Sequence, residues 1–220
     1  MTIIWYGHSC FRIEARSTSS GQAKDGVSIL IDPFSKERTG LKPPKIKDDL
    51  VLVTHHHADH DNVSDANPEA LIIDGPGEYE KQGIQVMGVT SFHDKMNGKE
   101  RGLNTIYLIK AEDMTICHLG DLGQDKLDDK QVEEIGDVDI LMVPVGGTYT
   151  LDAKEAVGVV GQIEPKVVIP MHYKIKDLTI DISGPDKFLK EIGLSPEKVD
   201  KFKIAKKNLP AEEMKLVMFQ

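Results

Sequence analysis

Between residues 55 and 60 the chain reads His-His-His-Ala-Asp-His. Taken as H-x-H-x-D-H, this run places three imidazoles (His55, His57, His60) and the carboxylate of Asp59 within six positions. That is more nitrogen and oxygen donors than one tetrahedral zinc takes from a single segment. The apolar residues 50–54 just before it read as a buried strand, so the donors emerge on a loop at a strand's end. Side chains alternate along extended backbone, which sends His55 and His57 to the same side. Asp59 and His60 then continue round a turn. One such loop can hold two metals side by side, the first through His55 and His57 and the second through Asp59 and His60. A solvated histidine-rich turn would need no second set of donors downstream, and a purification tag sits at a terminus and lacks the aspartate.

A second set is present. His93 follows the strand-like run 88–92, Asp121 follows 116–120, His172 follows 167–171, and Asp32 ends the run 27–31. Gly120, next to Asp121, lets the backbone approach closely. Alternating and apolar runs predict strands near 2–6, 9–14, 27–32, 50–54, 70–73, 84–92, 103–110, 114–118, 139–143, 166–170 and 213–219. Helices are expected near 128–136, 152–163 and 184–192. The last starts at Ser183 or Gly184, with Pro185 in its first turn and Gly193 beyond its end. The polar segment from Arg16 to Gly26 reads as a loose hairpin connection. Strands dominate the first half, and strand and helix alternate in the second. Two sheets packed face to face with helices outside satisfy both patterns.

A chain of 220 residues fits one domain spanning 1–220, and its 40% hydrophobic and 29% charged content is ordinary for a globular protein. No stretch approaches the ~20 apolar residues needed to span a bilayer. The opening residues run into a strand pattern without a basic leader, and the two cysteines, Cys10 and Cys117, make no disulfide framework. A cytoplasmic chain is therefore expected. Cys117 lies close in sequence to the donors; it is either a ligand or a strand-core residue. A net charge of −9 argues against coating nucleic acid through bulk electrostatics, though not against a local basic rim. Candidates for such a rim are Lys36, Arg38, Lys42, Lys45 and Lys47 in one loop, and Lys95, Lys99 and Arg101 in another. Nothing in the chain specifies an oligomeric state.

The stretches Gly7-His8-Ser9-Cys10-Phe11, Leu30-Ile31-Asp32-Pro33-Phe34, Thr54 to His60, His118-Leu119-Gly120-Asp121, Pro144-Val145-Gly146-Gly147 and Pro170-Met171-His172-Tyr173 together resemble the metallo-β-lactamase superfamily. The chain is similar in particular to the small branch of metal-dependent hydrolases near ascorbate-6-phosphate lactonase. The resemblance implies an αββα sandwich with a two-metal site at the sheet edge. By the same resemblance His55, His57 and His93 bind the first metal, Asp59, His60 and His172 the second, and Asp121 bridges them. Asp32 corresponds to an aspartate that is not a ligand and orients the H-x-H loop from behind, which agrees with the general need to fix ligand tautomers. His118 also has suitable chemistry; the family order, His then strand then Gly-Asp, favours His93. His56 lies at a variable position and points away. His8 either faces the pocket or is a hydrogen-bonded structural histidine.

The implied activity is hydrolysis by water activated between two divalent ions, Zn²⁺ first, with Mn²⁺ or Fe²⁺ as alternatives. Asp59, Asp121 and His172 are the expected catalytic residues. The expected substrate is a small anionic ester, lactone or phosphodiester. Residues 94–102 are the expected lid, with Lys95, Lys99 and Arg101 holding a phosphate. Position 57 is His rather than the Glu of oxygen-reducing diiron relatives, which favours hydrolysis. The alternatives are a single-strand nuclease or RNA-processing phosphodiesterase and, outside catalysis, a metal-stabilised binder of ligand or nucleic acid. Five histidine ligands must all be neutral to bind, so metal affinity and activity are expected to fall together below about pH 6. Turnover that persists at about pH 5 with no loss of metal would contradict this coupling.

Overall fold

A computed structural model describes residues 1–16 and 26–220, so the expected hairpin connection lies, apart from its two ends, outside the described residues. The chain begins with β1 (Thr2–Gly7), β2 (Cys10–Ala15) and β3 (Val27–Ile31), followed by a single helical turn α1 (Lys36–Thr39), then β4 (Leu50–Leu52) and β5 (Leu71–Ile73). Next come β6 (Gly77–Lys81), β7 (Ile84–Phe92), β8 (Leu103–Ala111), β9 (Met114–His118), α2 (Asp129–Ile135), β10 (Ile140–Pro144), α3 (Ala153–Ile163), β11 (Val167–Met171) and α4 (Asp186–Ile192). The chain closes with β12 (Glu197–Val199), β13 (Phe202–Lys203) and β14 (Lys215–Phe219).

These strands form a six-stranded sheet, β13-β1-β2-β3-β4-β5, and an eight-stranded sheet, β12-β14-β11-β10-β9-β8-β7-β6. All the strands expected from the sequence are present. β6, β12 and β13 were not anticipated. β6 carries the sequence Gly-Glu-Tyr-Glu-Lys at a sheet edge, and β12 and β13 span three and two residues, too few to show a period. α4 begins at Asp186 with Pro185 as its cap, two residues later than the sequence signals suggest, and Gly193 ends it in a left-handed conformation as expected.

Period-two alternation explains why the central strands read as continuous apolar runs. Ile29, Ile31, Leu50 and Leu52 of the first sheet meet Tyr107, Ile116, Ile140, Met142 and Ile169 of the second in the core between the sheets. The intervening residues Leu141, Val143 and Val168 face the other way, against Val159, Ile163 and Phe188 of the helices. Strands buried on both faces need apolar residues at every position. On the outer face of the first sheet, Leu30 and Val51 pack against Phe34, Leu41, Ile46 and Leu178. That outer layer is thin, consisting of α1 and the loops around it. Capping boxes start the helices of the opposite layer, Asp128 with Gln131 on α2 and Asp152 with Glu155 on α3. The result is the four-layer αββα sandwich expected from the sequence.

Strand direction decides where function can sit. β1 and β3 run parallel to each other because each is antiparallel to β2, and β3 is parallel to β4. In the second sheet β7 and β9 are both antiparallel to β8, and β9, β10 and β11 are parallel. The strands preceding the polar stretches therefore end on one edge of each sheet. The two edges are joined by backbone bonds, Thr105 N–H to the Thr54 carbonyl at 2.8 Å and His172 N–H to the His8 carbonyl at 3.0 Å. Among the described residues no helix is long and apolar enough to cross a membrane.

Candidate metal centre

At that shared edge the expected donors converge. His55, His57 and His93 present ring nitrogens within 4.8 Å of one another, and so do His55, His60 and a carboxylate oxygen of Asp121. Asp121 Oδ2 lies 3.1 Å from His172 Nε2, 3.3 Å from His60 Nε2 and 3.6 Å from His93 Nε2. The other oxygen, Oδ1, accepts the Ser9 hydroxyl at 3.2 Å. Only one oxygen of Asp121 is thus turned to the imidazoles. Asp59, on the same loop as the histidines, reaches His60 Nε2 at 3.7 Å.

Supporting hydrogen bonds settle the ring tautomers. Asp32 is buried and has a φ of 47°. Its Oδ1 accepts Thr54 N–H at 2.8 Å, and its Oδ2 accepts both the Thr54 hydroxyl at 2.8 Å and His60 Nδ1–H at 2.9 Å. The Thr54 hydroxyl has spent its proton on Asp32 and must accept from His55 Nδ1–H, 3.0 Å away. Both His55 and His60 are therefore oriented with Nε2 toward the cluster. Asp32 thus holds the His60 ring directly and the His55 ring through Thr54.

Two residues that sequence reasoning missed hold Asp121 in place. Asn104 on β8 accepts Asp121 N–H at 2.9 Å and donates to the Leu119 carbonyl at 2.9 Å. Ser9 binds the carboxylate itself. The available signal was a polar residue inside the apolar run 103–109, and a hydroxyl beside His8. Gly120 is required as expected: its φ is +56°, and a Cβ there would stand 2.3 Å from Asn104 Oδ1. Gly146 serves His172 in the same way, since a Cβ would stand 2.1 Å from the His172 carbonyl.

The remaining histidines and Cys117 sort by their partners. His118 receives Gly120 N–H on Nδ1 at 3.1 Å and donates Nε2–H to the Ser9 carbonyl at 3.0 Å, so neither nitrogen is free for a metal. His93 instead turns Nε2 to Asp121. His56 is exposed and points away, as its place in the motif suggests. Cys117 is fully buried in the core beneath the helices, which makes it a strand-core residue. His8 faces the cluster, with Nε2 at 3.0 Å from Asp59 Oδ2.

Burial and charge set the protonation of the ion-free cluster. Burial, reinforced by the neighbouring His172, lowers His8 to about 4. Burial likewise lowers His93 to about 4, against the pull of Asp121. His55 is lowered by burial and by its imidazole neighbours. Burial opposes the charge on His60 too, but the carboxylates of Asp121 and Asp32 outweigh it and raise its pKa well above the ordinary value. Burial tends to raise the Asp121 pKa, yet His172 and His60 hold it far below the usual carboxylate range. A buried carboxylate that stays ionised beside several imidazoles is a donor set suited to divalent cations.

A cavity of about 580 Å³ opens onto these residues, lined by His57, Asp59, His93, Asp121 and His172 at its base. Arg38, Arg101, Tyr149 and Asp181 line its more exposed part. The expected basic rim is only partly there. Lys95 is paired with Glu155, and neither it nor Lys99 lines this cavity. Of the other loop, Arg38 contributes, while Lys36, Lys42, Lys45 and Lys47 do not. The loop expected as a lid is folded on Asp94, whose carboxylate accepts the N–H groups of Met96, Gly98, Glu100 and Arg101 at 2.7–2.9 Å.

Comparison with known proteins agrees with this geometry. Residues 2–172 match a family described as the Beta-lactamase superfamily domain. A UPF0173 metal-dependent hydrolase of Methanopyrus kandleri is 30% identical over 79% of this chain and 84% of its own. Another from Pyrococcus horikoshii is 31% identical, covering 96% of this chain and 97% of its own. The crystal structure of a Thermotoga maritima protein of the metallo-beta-lactamase superfamily superimposes with a TM-score of 0.78 and 36% identity, covering 99% of this chain and 97% of that one.

The depressed histidines carry a stability consequence. Folded, His8 and His93 stay neutral down to about pH 4; unfolded, each takes up a proton near the ordinary histidine value. The unfolded chain thus binds more protons, and stability falls as the pH drops from about 6.5 towards 4. His60, raised, works in the opposite direction, one group against three histidines whose pKa is lowered, His8, His55 and His93. The metal-free protein is expected to melt at lower temperature at pH ~4.5 than at pH ~7. An equal or higher melting temperature in acid would contradict the assignment of neutral imidazoles.

Proposed function

Because the chain belongs to the metallo-β-lactamase superfamily, among its UPF0173 metal-dependent hydrolases, we propose that its histidine–aspartate cluster holds two divalent ions and hydrolyses a small anionic ester, lactone or phosphodiester. His55, His57 and His93 would hold the first ion, Asp59, His60 and His172 the second, and Asp121, which lies between the two groups, would contact both. One observation carries this reading: a single carboxylate oxygen lies within 3.6 Å of imidazoles from both groups, His93 on one side and His60 and His172 on the other. Zn²⁺ suits so imidazole-rich a donor set, with Mn²⁺ or Fe²⁺ as alternatives.

When bound, the ions supply Lewis acidity and lower the pKa of water to near neutrality. The residues of the chain supply the rest. Asp32 and Thr54 fix the rings of His55 and His60, so their Nε2 lone pairs face inward without reorganisation. Ser9 and Asn104 hold Asp121 against rotation. Asp59 is partly open to the cavity. Burial would raise its pKa, but hydrogen bonding to His8 and the charge of His60 keep it ionised, a carboxylate placed to accept a hydrogen bond from the attacking water and steer it. His172 is assigned to the ion rather than to the leaving group, since its Nε2 is turned to Asp121.

Arg38 and Arg101 favour an anionic substrate. Among the described residues neither guanidinium has a carboxylate partner, although the chain carries a net charge of −9. Arg101 stacks over the Tyr149 ring at 5.6 Å, which holds it on the cavity wall. Planar guanidinium groups bind phosphate or carboxylate oxygens in pairs.

Two measurements test the proposal. Elemental analysis of reconstituted protein is expected to find two ions per chain, with hydrolysis of bis-aryl phosphates or simple lactones that His57→Ala abolishes. Two ions without turnover on such a panel would favour a binding protein, and cleavage of oligonucleotides alone would favour a nuclease. Replacing Arg38 and Arg101 together by alanine is expected to raise KM for anionic substrates by roughly tenfold or more, about 1.4 kcal/mol, leaving kcat for neutral esters unchanged. An unaltered KM across a phosphate panel would exclude both arginines from substrate binding.

A further inference from the structure

His8 does not behave as a structural histidine. The chain contains a histidine that does, His118, whose two ring nitrogens both find backbone partners. His8 is equally buried, at 0% exposure, yet among the described residues its Nδ1 has no partner. Its Nε2 is instead 3.0 Å from Asp59 Oδ2 and also 3.0 Å from His60 Nε2. A hydrogen bond to Asp59 alone would not need the second contact. His60 donates its Nδ1–H to Asp32, so its Nε2 presents a lone pair whenever the ring is neutral. Without an ion, a proton on one ring bridges the two nitrogens, and a cation bound there would take that proton's place between the same donors. Nitrogens about 2.1 Å from one ion stand roughly 3.0–3.4 Å apart, from right-angled to tetrahedral arrangements.

The backbone points the same way. His8 occupies the turn between β1 and β2 with a φ of 54°, in the left-handed region that is uncommon for residues other than glycine, though less so for histidine than for most. Such outliers concentrate at functional positions. The turn is secured by the Trp5 indole N–H and the His172 N–H, both donating to the His8 carbonyl at 3.0 Å. His172 is itself left-handed, with a φ of 51°. Two strained residues from different sheets are thereby joined, and their rings lie 4.4 Å apart at the centroids. His8, His60 and His172 form a donor group within 4.8 Å that contains no residue of the first-ion set.

We propose that His8 Nε2 is a direct ligand of the second ion, joining Asp59, His60, His172 and Asp121. This rests on the two-ion reading above and makes the centre asymmetric. The chain then offers five donors to the second ion and four to the first. His55, His57, His93 and Asp121 would leave the first ion fewer donors from the chain, and so more room for a substrate oxygen. The second ion is the tightly held one, and five donors there suit Mn²⁺ or Fe²⁺ as well as zinc.

The test compares wild type with His8→Ala and His8→Gln, each checked for folding without metal by circular dichroism. Glutamine keeps an N–H donor for Asp59 but is a poor metal ligand, so it separates the two roles. Mn²⁺ titration by calorimetry is expected to show two ions in the wild type. In both variants one of the two is expected to weaken by more than about a hundredfold, beyond the 10–100-fold typical of losing a group that only orients a ligand. Co²⁺-loaded variants are expected to show stronger d–d absorption, since intensity rises as coordination number falls. Wild-type affinity and an unchanged Co²⁺ spectrum in His8→Gln would overturn the proposal while leaving the two-ion reading intact. Fewer than two ions in the wild type would overturn that reading and this proposal with it.

Discussion

The buried charge on Asp121 is the constraint from which the rest of this protein follows. A carboxylate that is 2% exposed stays ionised only if positive charge or strong donors surround it. No single segment of a β-rich chain can supply them, because neighbouring side chains on a strand point to opposite faces. The surroundings of Asp121 are therefore assembled from many places: His60 after β4, His93 after β7, His172 after β11, Ser9 from the first turn and Asn104 from β8. Each of these depends on both sheets being in register at one edge. Stability and function are tied here, since the groups that make the charge tolerable are also those that suit a metal ion in this family of metal-dependent hydrolases.

The sandwich meets that demand through strand direction. β1, β3 and β4 end at the same edge of the first sheet, and β7, β9 and β11 at one edge of the second. The edges are held together by backbone hydrogen bonds at Thr54–Thr105 and His8–His172, and by Tyr107, whose hydroxyl donates to the Val53 carbonyl at 2.9 Å. The apolar layers on either side of each sheet leave little freedom for the strands to slide, because a one-residue slip would turn every core side chain outward. The donors inherit that rigidity, although they sit on loops. The glycines at 120 and 146 let the loops press closely enough to complete the cluster.

The outer wall of the cavity follows different rules. Arg38 and Arg101 lie on connections whose positions depend on neighbouring loops, the Asp94-centred turn in one case and the segment around Thr179 in the other. Charged residues on such connections look alike in sequence, since most of them are simply solvated. Lys95 shows the difficulty: it belongs to the run expected to hold a substrate phosphate, yet Glu155 at the start of α3 captures it.

Much of the architecture was legible from the chain, because burial on both faces forces continuous apolar strands and helix starts carry capping residues such as Asp128 and Asp152. The edge strands β6, β12 and β13 were not, since short polar segments have no period to read. Among the site residues, the H-x-H-x-D-H loop, Asp121 and His172 announced themselves by following apolar runs, and Asp32 by ending one. The family order favoured His93 over His118, but the residues alone left the choice open, as both stand at strand ends. It turns on which ring the backbone engages: His118 is held by its neighbour Gly120 and by Ser9, more than a hundred positions away. The same holds for Ser9, Asn104 and the turning of His8 toward His60. The sequence by itself determined which chemical groups are available and that they sit where strands end. Only the tertiary structure decided which of them meet, because distance across two sheets is set by packing and strand direction, neither of which is a local property of the chain.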